Sequence, residues 1–148
     1  MAEFSKSDYR FFEMAKEIAK QSPCPRFKLG AVIVSSHGHV ISTGHNGNKT
    51  HPLQRYYNKK YRKFKYSGKP TYDLIHAEMQ ALVAIPKCVD LNLDYSKAKI
   101  YIYRICPGKK LGFGNSFPCP ACRHALIDKG IRNIYYTADT GYAYQKLF

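Results

Sequence analysis

"PCPACRHALIDKGIRNIYYT", residues 118–137, decides the fold. Its first part, 118–130, opens as a helix and stops at Gly130, a residue suited to a C-cap. "IRNIYYT" then reads as a strand, rich in β-branched and aromatic residues. On the other side of the helix, "AKIYIYRI" at 98–105 reads as the strand before it. A strand–helix–strand succession argues for parallel pairing through a right-handed crossover.

Moving outward, residues 106–117, "CPGKKLGFGNSF", read as a Gly-rich loop or small hairpin. This is not a phosphate-binding P-loop, since the G-K-[ST] ending is missing. "HAEMQALVAI" at 76–85 predicts a helix that Pro86 stops. Residues 29–35 and 40–44 predict two strands joined by an "SHGH" turn, with His37 and His39 in solvent. Residues 7–20 carry Phe11, Met14, Ala15, Ile18 and Ala19 at helical spacing, with Ser5 or Ser7 as N-cap. The tail, 138–148, adds a fifth edge strand or covers the sheet. The expectation is one α/β domain over 1–148: a three-layer helix–sheet–helix sandwich with a mixed central sheet of four to five strands.

At 148 residues the chain is one domain by size and can bury a real core. The longest apolar run, "LGAVIV" at 29–34, falls far short of the roughly 20 residues a membrane helix needs. The N-terminal stretch has acidic residues and no apolar h-region, so a cytoplasmic location is expected. Cys24, Cys88, Cys106, Cys119 and Cys122 make an odd, unevenly spaced set, a poor disulfide framework. A net charge of +14 predicts attraction to polyanions or phosphorylated small molecules. It concentrates in 45–70, a stretch without acids, where lysines and arginines alternate with Tyr56, Tyr57, Tyr61, Phe64 and Tyr66. Part of it, Pro52 to Phe64, suits a short helix. The stretch fits a solvated flap, a phosphate-attracting lid, or a track for single-stranded nucleic acid.

The chemistry concentrates at two helix starts, "HAE" at 76–78 and "PCPAC" at 118–122. Both follow segments ending at one edge of the sheet, so they can meet at the strands' carboxyl ends. His76, Cys119 and Cys122 would then supply one nitrogen and two sulfurs and leave a fourth position open, as in catalytic zinc. Helix N-termini favour the thiolates. His76 and Glu78, at i and i+2, diverge in a helix interior but can approach one point across an open first turn. Glu78 would carry protons beside the activated water rather than ligate. The competing reading makes these four residues core thiols, a core imidazole and a dipole-favoured carboxylate.

H-x-E followed by P-C-x-x-C is the pattern of zinc nucleobase deaminases. The chain resembles the cytidine/deoxycytidylate deaminase superfamily through "FFEMAKEIAKQSPCPRFKLGAVIV", "ISTGHNG", "IHAEMQAL" and "PCPACRHALIDKGIRNIYY". It is most similar to the deoxycytidylate branch. The resemblance implies a cytidine deaminase-like fold and hydrolytic deamination of cytosine to uracil, most simply dCMP to dUMP. Zn2+ would be held by His76, Cys119 and Cys122, with Glu78 taking a proton from water and passing it to N3 and to ammonia. By the same analogy Asn46 bonds the sugar, Ala77 N–H contacts the base, and Ser116 and Pro118 border the amino pocket.

Some members of the superfamily that the chain resembles hold a second, structural zinc through cysteines ahead of "HAE"; with no cysteine between Cys24 and Cys88, the resemblance implies one zinc here. The loop 106–117 is longer than the branch usually has at that point, and 49–69 differs in character from a plain nucleotide enzyme. A polynucleotide deaminase acting on cytosine or adenine in single-stranded DNA, RNA or tRNA therefore stands as the alternative. A third reading, a zinc-stabilised binding module, is disfavoured by the presence of Glu78. His45 and His51 fall near the expected pocket, and His124 on an exposed helix face. A homo-oligomer is expected from the relatives.

Overall fold

The computed structural model describes residues 4–25, 27–62, 74–106 and 114–148. The end of the expected helix at Phe64, the basic residues 63–73 and the core of the Gly-rich loop, 107–113, lie outside the described residues.

Helix α1 spans Lys6–Ala19. Ser5 starts it with a reciprocal capping box: its hydroxyl accepts from Asp8 N–H at 3.1 Å, and Asp8 Oδ2 accepts from Ser5 N–H at 2.9 Å. Strands β1 (Lys28–Val34) and β2 (Val40–His45) form an antiparallel hairpin. Its turn uses Gly38 at φ 81°, a left-handed value that glycine adopts freely. Helix α2 is Pro52–Tyr61, α3 is Ala77–Val83 and α4 is the short Lys87–Asp90. Strand β3 (Lys99–Ile105), helix α5 (Pro120–Lys129), β4 (Asn133–Ala138) and β5 (Gly141–Lys146) complete the chain.

The sheet order is β2-β1-β3-β4-β5. β3 and β4 pair in parallel across the α5 crossover, as the 98–137 pattern predicts. β1–β3 and β4–β5 are antiparallel, so the sheet is mixed. The tail is therefore the fifth edge strand. The α4 turn and the 3-10 turn Tyr95–Lys97, between Pro86 and β3, had no expectation attached to them.

Strand alternation builds two cores. Ala31 and Ile33 of β1, with Ile100 and Ile102 of β3, face Ala77, Ala81 and Leu126 of α3 and α5. Val32, Val34, Tyr101 and Tyr103 face the other way, onto Phe11, Phe12 and Ala15 of α1. That is the expected helix–sheet–helix sandwich. Helix α2 packs on α5 through a third cluster containing Tyr57, Met79, Ala121 and Cys122. No helix of the described residues is long and apolar enough to cross a membrane.

Candidate metal centre and active site

Two helix starts meet, and local geometry explains how. His76 is the N-cap of α3, with extended φ −85° and ψ 158°. Its side chain thus escapes the helical wheel, and the i, i+2 conflict with Glu78 disappears. The approach to His76 is stitched down: Ile75 N–H donates to Lys49 C=O at 3.0 Å, and Gly47 N–H to Ile75 C=O at 3.0 Å. Gln54 of α2, fully buried, accepts the His76 N–H at 3.0 Å and donates to Asn58 Oδ1 at 3.0 Å.

Cys119 is the N-cap of α5, ahead of Pro120 at the first helical position, where proline's missing N–H costs nothing. Arg123 N–H donates to Cys119 C=O at 2.8 Å. Cys122 lies in the same first turn. The chain reaches Cys119 through Ser116, which is fixed to the carboxyl ends of both parallel strands. Ser116 N–H donates to Thr137 C=O at 2.7 Å, its hydroxyl donates to Ile102 C=O at 3.0 Å, and it accepts from Thr137 N–H at 2.8 Å.

His76 Nδ1 lies 3.5 Å from Cys119 Sγ and 3.3 Å from Cys122 Sγ. The three donor atoms fall within 4.8 Å of one another. Zn–N and Zn–S bonds of ordinary length at a tetrahedral angle separate nitrogen from sulfur by about 3.6 Å. The donor set and its spacing therefore fit zinc, with Nδ1 as the ligating nitrogen. The expected His76, Cys119 and Cys122 are brought together as one cluster.

Electrostatics follow from burial. Glu78 is 4 % exposed, and desolvation raises its pKa above the ordinary carboxylate value against the pull of His76. Burial acts to lower His76, but the Cys119 sulfur beside it outweighs this and the net shift is upward. Of the two thiols Cys119 is the acidic one, its pKa brought down to about 3 by the Cys122 thiol donating to it and by His76. Cys122, buried against Cys119 and the Glu78 carboxyl, is pushed up. A divalent cation favours the thiolate at both.

Two residues of the cluster, His76 and Cys119, line a cavity of about 400 Å³, with Cys122 buried behind them. His76, Ala77, Glu78 and Cys119 line it together with Asn46, Ser116, Phe27 and two arginines, Arg62 and Arg104. Asn46 is committed to the scaffold: Oδ1 accepts from Leu29 N–H at 2.8 Å, and Nδ2 donates to Phe27 C=O at 3.3 Å. Pro118 is buried but is not among the residues lining the cavity. His45 and His51 do not line it either; His51 caps α2 by accepting the Leu53 N–H at 3.0 Å. His124 departs from the exposed placement expected for it. It is half-buried, stacked on Tyr61 with centroids 3.7 Å apart. Cys24 lines the cavity as a free thiol, its Sγ 3.7 Å from Gly47 C=O.

Sequence reasoning missed Gln54, Phe27, Thr137 and Arg104, and took in Arg62 as one of the charges of the basic stretch 45–70. Arg104 carried a signal, as a charge closing an otherwise apolar strand.

An α/β sandwich holding a His/Cys/Cys donor set beside a buried glutamate is an arrangement suited to metal-assisted hydrolysis. The comparisons make this specific: residues 5–138 match the family model of the cytidine and deoxycytidylate deaminase zinc-binding region. The chain belongs to that family, whose members deaminate cytosine compounds.

Two curated relatives are a deaminase of the luxG 3′ region of Aliivibrio fischeri and ComE operon protein 2 of Bacillus subtilis. The first is 28% identical over 136 residues, 92% of this chain and 76% of that protein. The second is 26% identical over 134 residues, 87% of this chain but 58% of that protein. The fold matches the dCMP deaminase of cyanophage S-TIM5, solved in apo form, at TM-score 0.55, 19% identity, and 92% and 86% coverage. It also matches the cytidine deaminase of Mycobacterium tuberculosis at TM-score 0.53, 17% identity, and 94% and 89% coverage.

Proposed function

We propose that the protein is a zinc-dependent hydrolase that deaminates a free cytosine nucleotide, converting dCMP to dUMP. The observation that carries this is the buried Glu78 lining the same cavity as His76 and Cys119, two donors of the His76, Cys119 and Cys122 cluster. Zinc on those three residues supplies a Lewis acid that makes water nucleophilic near neutral pH.

The protein's own part is proton traffic and positioning. Glu78 takes the proton of the attacking water as C4 of cytosine is hydrated, and delivers it to N3. It then carries a second proton to the departing amine, which leaves as ammonia. Burial suits this work: a carboxyl held above its ordinary pKa takes and returns a proton near neutrality more evenly than a solvated one. Ala77 contributes the first helical N–H beside the base. Ser116, locked to Ile102 and Thr137, fixes the loop that closes the amino side. Asn46 supports the cavity wall at Phe27 and Leu29, and the second hydrogen of its Nδ2 is suited to the sugar.

One of the two structures of the cyanophage dCMP deaminase holds dCMP and dUMP, which favours the nucleotide for this chain too. We place the activity in the cytoplasm and expect a homo-oligomer. The polynucleotide reading keeps one supporting observation. Tyr56 is exposed, Lys60 lies over the rings of Tyr56 and Tyr61, and Tyr61 stacks on His124, a platform adjoining cavity-lining Arg62.

The test is a turnover panel with zinc-loaded protein: dCMP, dCTP, cytidine, deoxycytidine, and oligonucleotides bearing cytosine or adenine. Production of dUMP from dCMP at the highest kcat/KM is expected. Preference for an oligonucleotide transfers the conclusion to the second reading, and no turnover of any substrate overturns both.

A further inference from the structure

Arg104 lines the cavity, and among the described residues no carboxylate pairs with it: the ion pairs there are Lys20–Glu17 and Lys129–Asp90. Of its five N–H donors, one is spent, Nη1 donating to Asn115 C=O at 3.2 Å. The Nε is shielded from solvent and meets no acceptor among the described residues.

The group is nevertheless held in place. Its backbone N–H donates to Thr137 Oγ1 at 3.2 Å, and its residue pairs with Leu29 across β1 and β3. The plane of the guanidinium sits 4.5 Å from the Phe27 ring centroid. Phe27 is itself tied by its carbonyl to Asn46. A fork of donors, fixed at its root and on one face and without an anion partner among the described residues, matches the geometry that binds phosphate oxygens. Arg62, the other cavity arginine, acts on the His76 imidazole and so stands beside the metal cluster. Arg104 lines the same cavity, in contact with Phe27 and Asn115.

We infer that Arg104 binds the 5′-phosphate of the free nucleotide and is the residue by which this cavity prefers nucleotide over nucleoside. The inference rests on the deaminase reading above. The shared chemistry is a phosphate ester, which an internal phosphodiester of a single strand also offers.

The test compares kcat/KM for dCMP, deoxycytidine and an oligodeoxynucleotide with one internal cytosine, using full-length zinc-loaded wild type, Arg104→Gln and Arg104→Lys. In R104Q the dCMP-to-deoxycytidine ratio should fall roughly tenfold to a hundredfold, the loss carried by KM, with part restored in R104K. Equal fractional loss on both substrates, which a structural role of the Phe27 stack produces, overturns the assignment. So does an unchanged ratio, or a loss confined to the oligonucleotide.

Binding of dUMP against deoxyuridine to the wild type, measured by calorimetry, needs no variant and no turnover. Tighter dUMP binding is expected, and equal affinities overturn the proposal even if R104Q fails to fold. Should dUMP bind preferentially, with an R104Q-sensitive margin, while no cytosine compound is turned over, the deaminase reading fails and the phosphate site stands.

Discussion

The chemistry of this site reduces at the residue scale to one buried carboxylate. Glu78 is fully desolvated, and the penalty of burying its charge is what raises its pKa. A glutamine there keeps the shape and removes the proton carrier. Glu78→Gln should lower kcat on dCMP by about 10²- to 10⁴-fold, the usual span for a positioned acid–base group. Zinc content by elemental analysis should stay at the wild-type level, since Glu78 contributes no donor to the cluster. Loss of zinc in that variant would make Glu78 a ligand and cancel the role given to it. Glu78 and the three donors were legible in the sequence because each motif is compact: one residue separates His76 from Glu78, and two separate Cys119 from Cys122. Gln54 was not legible. It acts on His76 from 22 residues away, and a glutamine among lysines and tyrosines carries no pattern that distinguishes burial from solvation. Asn46 was legible as a pocket residue, but only folding reveals that its amide also ties Leu29 and Phe27 to the cavity wall.

Elements place the site through close backbone approaches. Gly44 of β2 lies against α3, where an added Cβ would stand 2.5 Å from both the Ala77 carbonyl oxygen and the Ala81 nitrogen. These are backbone atoms of the helix that carries Glu78 and follows His76, so a side chain at 44 must displace the helix rather than rotate aside. Gly44→Ala should cost about 1–3 kcal/mol of stability, the ordinary range for overpacking. Because the displaced element bears the ligand, zinc affinity should fall with it. Denaturant unfolding and a chelator competition measure the two effects. Stability lost with zinc affinity intact would mean that α3 does not move. Helix and strand identities were readable because both periodicities are strong: Phe11, Phe12 and Ala15 mark one helical face, and Ala31 and Ile33 alternate with Val32 and Val34. Ends were less readable. Residues 76 and 118–119 look helical in sequence yet serve as extended entries and N-caps, and that displacement lets their side chains converge.

For the whole molecule, the parallel β3–β4 pair was inferable from one strand–helix–strand succession, whereas the attachment of α1 to the far side of the sheet depends on a contact no local pattern contains. Asp8, in the capping box of α1, accepts from the Tyr101 hydroxyl across 93 residues of sequence and so fastens the helix to β3. Burial works to raise the Asp8 pKa, but the hydrogen bonds from Tyr101 and Ser5 outweigh it and the net shift is downward. A carboxylate with a depressed folded-state pKa stabilises the fold above its unfolded value, near 4. That stability is lost as pH falls through the lower folded value. The chain's net charge of +14 adds repulsion on the same acid limb, as carboxylates elsewhere are neutralised. Asp8→Asn should therefore cost about 1–2 kcal/mol near pH 7, from one weakened cap and one weakened buried hydrogen bond. The cost should shrink as pH drops, wild type and variant converging once Asp8 is protonated in both folded and unfolded chains. Urea midpoints measured from pH 7 downward give the two curves. A gap that stays constant across that range would show that α1 is held by its apolar face alone, with Asp8 contributing shape rather than charge.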